Sequence, residues 1–509
     1  MRIPALLGAL AALTTALMLA GCASTRGIGP QAQARDPAEL DPGAAIAAAA
    51  HDAHWPDASW WRAYGDPQLD TLVAAAQSGS PTLAAAQARV RTAQALVAEA
   101  HADTLPQLDG SLSLERQHWS DNPLYYGPGT LANTNTWNNT GVLSLSYHVD
   151  LWGKDRDRDE RALDDAHAAV ADARTAQLEL TANVVRVYVD FAQNEALLDI
   201  AHEALDHQQQ LADLASKRLR AGLGTQLEVS QAQAPLPEYT RQIHAFEEII
   251  ALDRNQLAAL LGQGPGAGDK LARPTLALAA PAAALPSALP AELLGRRPDV
   301  VAARWRVEAQ ARGIDVAKAS FYPDINLLGT LGGFAVGNSF ASFLEAASGS
   351  YTVGPAFTLP IFDGGRLRAQ LGAASAGYDL AVAQYDQTLV GALQQISDNV
   401  VKLRSLATQH DDAAQSVALA QRAFSLAHLG FQRGLTDYVN VLVAENQLLV
   451  AEQGAARIDA ARLAAYAALM TALGGGIETA HDDIGIAPPP AATVEHAFAP
   501  VAATAPASH

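Results

Sequence analysis

Histidines, carboxylates and one thiol are the residues of this chain that could do chemistry, and their spacing argues against most of it. None of the 14 His stands four residues from another, so the HExxH pattern of a zinc hydrolase is absent. The stretch HDAH, His51 to His54, offers two imidazoles with no further ligand at a useful spacing. KDRDRDER, Lys154 to Arg161, alternates carboxylates as a calcium loop does but lacks the obligatory turn Gly, and it reads as the solvated start of a helix. Gly153-Lys154 lacks the upstream Gly of a phosphate-cradling loop. No catalytic residue, metal site or cofactor is expected, and the chain is not expected to be an enzyme.

Cys22 remains, as the only Cys present. Arg2, an apolar run from Ile3 to Ala20 and then small residues form a secretory signal, residues 1–21, too short and wrongly flanked for a spanning helix. Leu19 to Cys22, LAGC, resembles a bacterial lipoprotein processing box, which makes Cys22 the expected attachment point of a covalent lipid. A free thiol is a liability in an oxidising compartment, whereas a lipidated one is consumed. Ala23 follows the Cys in place of Asp, which by resemblance to sorting rules favours the outer membrane.

At 509 residues, with 49% apolar and 17% charged content, the chain is too long for one core and too apolar to be unfolded. A formal charge of -19 without any basic patch excludes nucleic acid as a partner.

Self-comparison shows an internal repeat. A shift of 217 lays Pro81, Ala85, Ala86, Arg89 and Val90 on Pro298, Ala302, Ala303, Arg306 and Val307; a shift of 212 lays Gly153, Gly222, Leu223 and Gly262 on Gly365, Gly434, Leu435 and Gly474. The two units run over residues 22–292, including the lipidated N-terminus, and 293–476. Each reads helix, strand pair, very long helix, turn, return helix. In the first unit these are a helix at 69–104, a strand pair within 107–150, a long helix at 155–219 and a return helix at 226–262, followed by an Ala/Pro/Gly-rich connector at 263–292. In the second they are a helix, a strand pair within 324–363, a long helix at 367–431 and a return helix at 436–473, with a disordered tail expected at 477–509. The extra residues of the first unit fall between Pro106 and Gly153, in an enlarged surface loop rich in Gly, Pro and Asn.

Two periods set the architecture. Val382, Leu389, Ile396, Leu403, His410, Val417, Phe424 and Phe431 recur every seven residues, and Val170, Gln177, Val184, Phe191, Leu198, Leu205, Ala212 and Leu219 match them in the first unit. Such a stripe is a coiled-coil-like seam, and 65 residues of helix at 1.5 Å each reach roughly 98 Å. His410 is read as a tolerated seam residue. Between the helices the period falls to two. Leu143, Leu145, Tyr147 and Val149 alternate with polar residues, as do Tyr351, Val353, Phe357, Leu359 and Ile361 with Thr352, Gly354, Ala356, Thr358 and Pro360. Strands of nine to eleven residues with one apolar face suit a lipid-facing barrel, but two hairpins cannot close one, so copies must associate. Pro235 and Pro237 are expected to kink the return helix of the first unit.

The stretches WWRAYGDPQLDTL (Trp60 to Leu72), LLGRRPDVVAARWRVEAQARGIDVAKASFYPDINLLGTLG (Leu293 to Gly332), LPIFDGGRLRA (Leu359 to Ala369) and ALGGG (Ala472 to Gly476) resemble TolC-like outer-membrane efflux channels, in particular their NodT-like lipoprotein subgroup. The resemblance implies an α+β membrane protein: a long α-helical barrel plus a transmembrane β-barrel completed by trimerisation. It implies the passive exit duct of a tripartite efflux pump, lipid-anchored in the outer membrane and extending into the periplasm. The implied partners are two further copies, a periplasmic adaptor, an inner-membrane transporter of the RND type and outer-membrane lipid. Gly153, Gly364 and Gly365 become the strand-to-helix joins. Arg220, Gly222, Leu223, Arg433, Gly434 and Leu435 become the helix tips that meet the adaptor. Just beyond the tips such channels narrow with acidic and aliphatic side chains. Glu228 matches an acidic position there, Val439 faces the tunnel by the same resemblance, and Asn440 and Val443 stand where Asp is common, with Asp437 and Glu445 near enough to compensate. The alternative is a periplasmic adaptor or structural lipoprotein with coiled-coil hairpins, which would own one hairpin and no amphipathic strand pairs.

Overall fold

The computed structural model describes residues 24–49, 55–120, 133–276, 285, 295–337 and 339–476. The signal peptide, Cys22, His51 to His54, loop residues 121–132, half of the connector and the tail at 477–509 lie outside the described residues. In chain order the elements are α1 (Gly43–Ala47), α2 (Pro67–Gly79), α3 (Pro81–Asp103), β1 (Gln107–His118), β2 (Asn135–His148), α4 (Lys154–Arg220), α5 (Gln226–Gln233), α6 (Leu236–Leu260), α7 (Pro298–Ala319), β3 (Asp324–Gly337), β4 (Gly349–Thr358), α8 (Arg366–Gln432) and α9 (Tyr438–Ala472).

The long helices α4 and α8 have 67 residues each, about 100 Å at 1.5 Å per residue. α4 contains neither Gly nor Pro, carries Asp155 and Asp157 in its first turn and ends on Lys217, Arg218 and Arg220, so its charges complement the helix dipole at both ends. Every position of the seven-residue stripes is buried or half-buried, and in the second unit Val382, Leu389, Ile396, Leu403, Phe424 and Phe431 are all under a tenth exposed. His410 is half-buried and lies 2.7 Å from Asp459 Oδ1 of α9, which gives the one polar seam position a partner.

The two units interlock. α7 belongs to the second repeat yet lies along α4 of the first as well as along α8. Its counterpart α3 lies along α4 only. The consequence is visible in burial, because α7 buries nine residues, including Val300, Ala302, Val307 and Ile314, whereas α3, of nearly equal length, buries only Leu83 and Ala86. The sheet repeats the asymmetry. Its order is β1-β2-β3-β4, antiparallel throughout, with β2 and β3 joining the two repeats and β1 and β4 left as edges. Leu108, Leu112, Leu143, Leu331, Tyr351 and Val353 stand more than half exposed on that sheet.

Two polar knots tie the middle of the molecule. Asp66 accepts from Gln68 N–H at 2.9 Å, Tyr188 O–H at 2.7 Å and Thr275 N–H at 2.7 Å, fastening α2 and the start of the connector to α4. Burial alone would push the Asp66 carboxyl up, but these hydrogen bonds together hold it below the usual range. Arg297, 7% exposed, donates to Asp299, to Gln395 Oε1 of α8 and to the Ala472 carbonyl that ends α9. These are residues of the DPQLD and RRPDV motifs, which therefore serve as structural fasteners.

Four expectations need correction. The helix expected over 69–104 is two helices, because Ser80 precedes Pro81 and takes an extended conformation at ψ 124°. The return helix expected over 226–262 is broken into α5 and α6 at Ala234 and Pro235, the outcome foreseen for Pro235 and Pro237, since Pro235 has no N–H to continue the ladder. KDRDRDER is the start of a helix, as expected, but only partly solvated: Asp155 and Asp157 are 5% and 6% exposed, while Arg156 and Arg158 are exposed. The strands run 12, 14, 14 and 10 residues, and β4 stops at Thr358, so Leu359 and Ile361 lie past its end, where Pro360 has no N–H for the ladder.

The upper helical wall is rich in carboxyls that burial pushes up: Asp157 to about 6 and Asp164 to about 7, with Asp165 and Glu308 raised in the same way. A carboxyl raised on folding favours the packed state fully below its ordinary value near 4 and loses that contribution as pH rises through 6 and 7. The melting temperature in detergent is therefore expected to rise as pH falls from 8 to 5, and Asp164→Asn is expected to flatten that slope; a wild-type slope of the opposite sign would contradict it.

Candidate functional site: the joins and the helix tips

The chain changes period at two joins. Gly153 and Gly365 sit at the starts of α4 and α8 with φ of +75° and +88°, and Gly364 has φ of +64°. A side chain there would be strained, and at Gly153 a Cβ would also fall 2.8 Å from the Arg156 guanidinium. The freed N–H groups beyond each join are taken by a carboxylate. Asp150 Oδ2 accepts from the N–H of Asp155 and Arg156 at 3.1 and 3.0 Å, and Asp363 accepts from Gly365 and Leu367 at 3.0 and 2.8 Å. His148, the last residue of β2, stands between Asp155 of α4 and Asp324 of β3, with Nε2 2.5 Å from Asp324 Oδ1. Trp152 stacks on Tyr322 at 4.7 Å and donates to the Pro323 carbonyl at 2.8 Å. The sequence reading missed this fastening. His148 is visible there only as one polar member of an alternation, and its partners lie 7 and 176 residues away.

The N-terminal arm leads to the same level. Arg368, three residues into α8, donates to the Ser24 and Arg26 carbonyls, and the arm then descends α8 as Gln31 and Ala32 N–H donate to Asp379 Oδ1 at 2.9 and 2.8 Å and Arg35 N–H to Asp386 at 3.1 Å.

At the far end each long helix reverses through the same motif. Gly222 and Gly434 have φ of +73° and +72°. Leu223 N–H donates to Arg218 O and Gly222 N–H to Leu219 O, while Leu435 N–H donates to Gly430 O and Gly434 N–H to Phe431 O. These are Schellman closures, and they leave Leu223 and Leu435 70% and 78% exposed beside the exposed Arg220 and Arg433. Arg218 clamps the two tips together, donating to the Phe431 and Leu223 carbonyls at 3.1 and 3.2 Å with its guanidinium 4.8 Å over the Phe431 ring.

Beyond the tips the six residues expected at a narrowing separate into two groups. Glu228 is half-buried and closes a capping box with Thr225 at the start of α5. Asp437, Val439, Asn440 and Val443 are exposed at the start of α9, with Asn440 donating to Thr436 Oγ1 at 2.8 Å. Glu445 is turned away from them. It lies 2% exposed in the stripe of Tyr438, Val441 and Leu448 that packs into the tip core, so it cannot supply the exposed face with the charge that Asn440 and Val443 lack. Among the described residues no group of His, Cys, Asp and Glu is arranged to hold a metal ion.

The family model described as outer membrane efflux protein matches residues 72–263 and 289–475, one match to each repeat. The chain belongs to this family. Fusaric acid resistance protein FusA of Burkholderia cepacia is 55% identical over 95% of this chain and 91% of its own length. Multidrug resistance outer membrane protein MdtP of Shigella flexneri is 30% identical over 84% of this chain and 88% of its own length. Among solved structures, the outer membrane protein VceC of Vibrio cholerae superposes with a TM-score of 0.77 at 34% identity, covering 83% of this chain and all of that one. The protein is an outer-membrane efflux duct, with a β-barrel in the membrane and a helical barrel reaching into the periplasm. The adaptor alternative is excluded, since both repeats and the amphipathic sheet are present.

Gly434→Ala is expected to cost roughly 1–2 kcal/mol by forcing a side chain into the left-handed region. Arg218→Ala, by removing the clamp, is expected to speed amide exchange at residues 219–224 and 431–436 of the channel, with the middle of α4 unchanged; equal loss of protection along the whole helix would contradict this assignment.

Proposed function

We propose that the channel works as a homotrimer, anchored through lipid on Cys22, that receives cargo from a periplasmic adaptor and an RND-type inner-membrane transporter and closes at the tips through Glu228, Asp437, Val439, Asn440 and Val443. The observation that carries the trimer is the mismatch between α3 and α7. Each repeat needs its first helix wedged between two long helices. α7 has both; α3 has α4 alone, and the missing partner in a closed ring is α8 of the next copy. The same step pairs β4 of one copy with β1 of the next, repeating the β2–β3 pairing. Four strands from each of three copies give a closed barrel, whereas an open sheet in hydrocarbon would leave two edges unpaired.

Lipidation is supported by the arm. Ser24 lies beside Arg368, just below the join where the barrel ends, so a lipid two residues earlier in the chain reaches the inner leaflet with little slack. Contact with an adaptor is supported by the exposed Leu223, Leu227 and Leu435 with Arg220 and Arg433 at the free end. Passive conduction is supported by membership of the outer membrane efflux protein family and by relatives named for resistance. The 55% identical relative is named for fusaric acid resistance, which makes a small organic acid the first cargo to test.

Native mass measurement in detergent is expected to give three chains, and a stable monomer with full β content would overturn the trimer. Cys22→Ser is expected to abolish lipid labelling. In single-channel recordings Val443→Ala is expected to raise basal conductance and Glu228→Gln to lower cation selectivity; recordings identical to wild type for both variants would place the narrowing elsewhere.

A further inference from the structure

Behind the exposed valines of α9, the tip core holds more buried acceptors than donors. Glu445 is 2% exposed, and neither of its carboxyl oxygens has a hydrogen-bond partner. Gln208 of α4 is fully buried and donates to the Ala232 carbonyl at 2.6 Å and to Tyr438 Oη at 2.7 Å, while its own Oε1 is unpartnered. Ala232 is in the last turn of α5, directly before the break at Ala234 and Pro235. Two of the chain's weakest points thus meet: a charge-bearing group without compensation and a helix whose ladder is already interrupted.

A carboxyl that keeps its proton adds one donor to this core. A carboxylate adds none and brings a charge that has no cation to pair with. The titratable groups around the layer are Tyr239 of α6 and Tyr438 of α9 itself, which interact with Glu445, and His207 of α4 and His428 of α8, which face each other across the Phe424 ring at 5.2 and 5.8 Å. The tyrosines stay neutral. Burial holds the His428 imidazole below its usual pKa, so its charging would loosen the core only in acid, opposite in sign to Glu445.

We propose that Glu445 is a proton-operated latch of the tip: neutral, it lets α9 lie packed against α4 and the broken helix α5–α6; ionised, it drives that layer open and carries Val439 and Val443 with it. The conductance consequence rests on the reading that Val439 and Val443 narrow the duct. Burial holds the Glu445 carboxyl up to about 7 from an ordinary 4.5. If the loosened tip titrates at the ordinary value, the loosened-to-packed ratio rises by up to about 30-fold per copy between pH 5.5 and 8.5, since over the lower part of that window, up to about pH 7, the packed state keeps a proton that the loosened state has lost.

The purified trimer is measured at both pH values by amide exchange, corrected for intrinsic rates, and by single-channel conductance. In wild type, residues 226–239 are expected to lose protection and conductance to rise on going to pH 8.5. Glu445→Gln, the shape of the protonated side chain, is expected to stay packed and pH-insensitive in both, and Glu445→Leu, equally chargeless, to be equally insensitive. A pH response of wild-type size in either variant overturns the latch. Exchange that loosens with pH in wild type but not in Glu445→Gln, while conductance stays constant, supports the latch and removes the narrowing from Val439 and Val443.

Discussion

An unpaired backbone N–H or C=O costs several kcal/mol in hydrocarbon, and one chain of this protein has two strand edges full of them. The rest of the architecture follows from that constraint. β1 and β4 are long, and neither is covered by a helix nor blunted by a bulge, so they can be satisfied only by another chain. Because β1 and β4 are the outer strands of two copies of one unit, the pairing that joins the units internally is available again between chains. The same logic runs down the helical part, where α7 shows how α3 is meant to be covered. Sheet and helices thus demand the same neighbour at the same rotation, and neither could close without the other.

The joins are where two incompatible periods must be reconciled. A strand shows alternate residues to lipid and lumen, whereas a helix brings a face round every seven residues in a seam, so the chain has to turn sharply and re-register within a few residues. Left-handed glycines make the turn, and Asp150 and Asp363 satisfy the helix starts they leave behind. His148 then ties strand β2 to strand β3 and helix α4 together.

Much of this was legible because repetition doubles every signal. Gly153 and Gly365, Gly222 and Gly434, and Gly262 and Gly474 all prove left-handed, and each pair was found by register alone. The seven-residue stripes were equally readable, since a seam of that length tolerates few polar residues. What the pattern hid was local stereochemistry and the facing of polar groups. Apolar periodicity runs on across Ser80, and only the proline after it stops the helix. The interior placing of Asp155 and Asp157 depends on what folds against the helix start, His148 of β2 beside Asp155 and Asp315 of α7 near Asp157. Glu445 is different, because its orientation was available: two residues apart on a helix that turns about 100° per residue, Val443 and Glu445 lie about 200° apart and cannot both face one opening. A match to acidic positions by proximity in sequence overrode the helical geometry.

Buried polar groups differ along the molecule in how fully they are satisfied. At the equator Asp66 and Arg297 are buried with their hydrogen-bonding capacity largely used, and such groups hold elements in register because moving any one element strands a charge. At the tip the buried polar groups are left short: Gln208 Oε1, both Glu445 oxygens and His428 Nδ1 lack partners, and the helix beside them is broken. A core of that kind gains little by staying packed, so small changes in charge or in contact at the exposed tips can decide its state. Arg218, whose Nε is likewise unpartnered, clamps the two tips through the Phe431 carbonyl and ring. Hydrogen-bond partners are also lacking nearer the joins, at Asp150 Oδ1, Asp164 Oδ2 and His167 Nδ1, so what sets the tip apart is the meeting of an unpartnered, buried Glu445 with a helix already broken at Pro235.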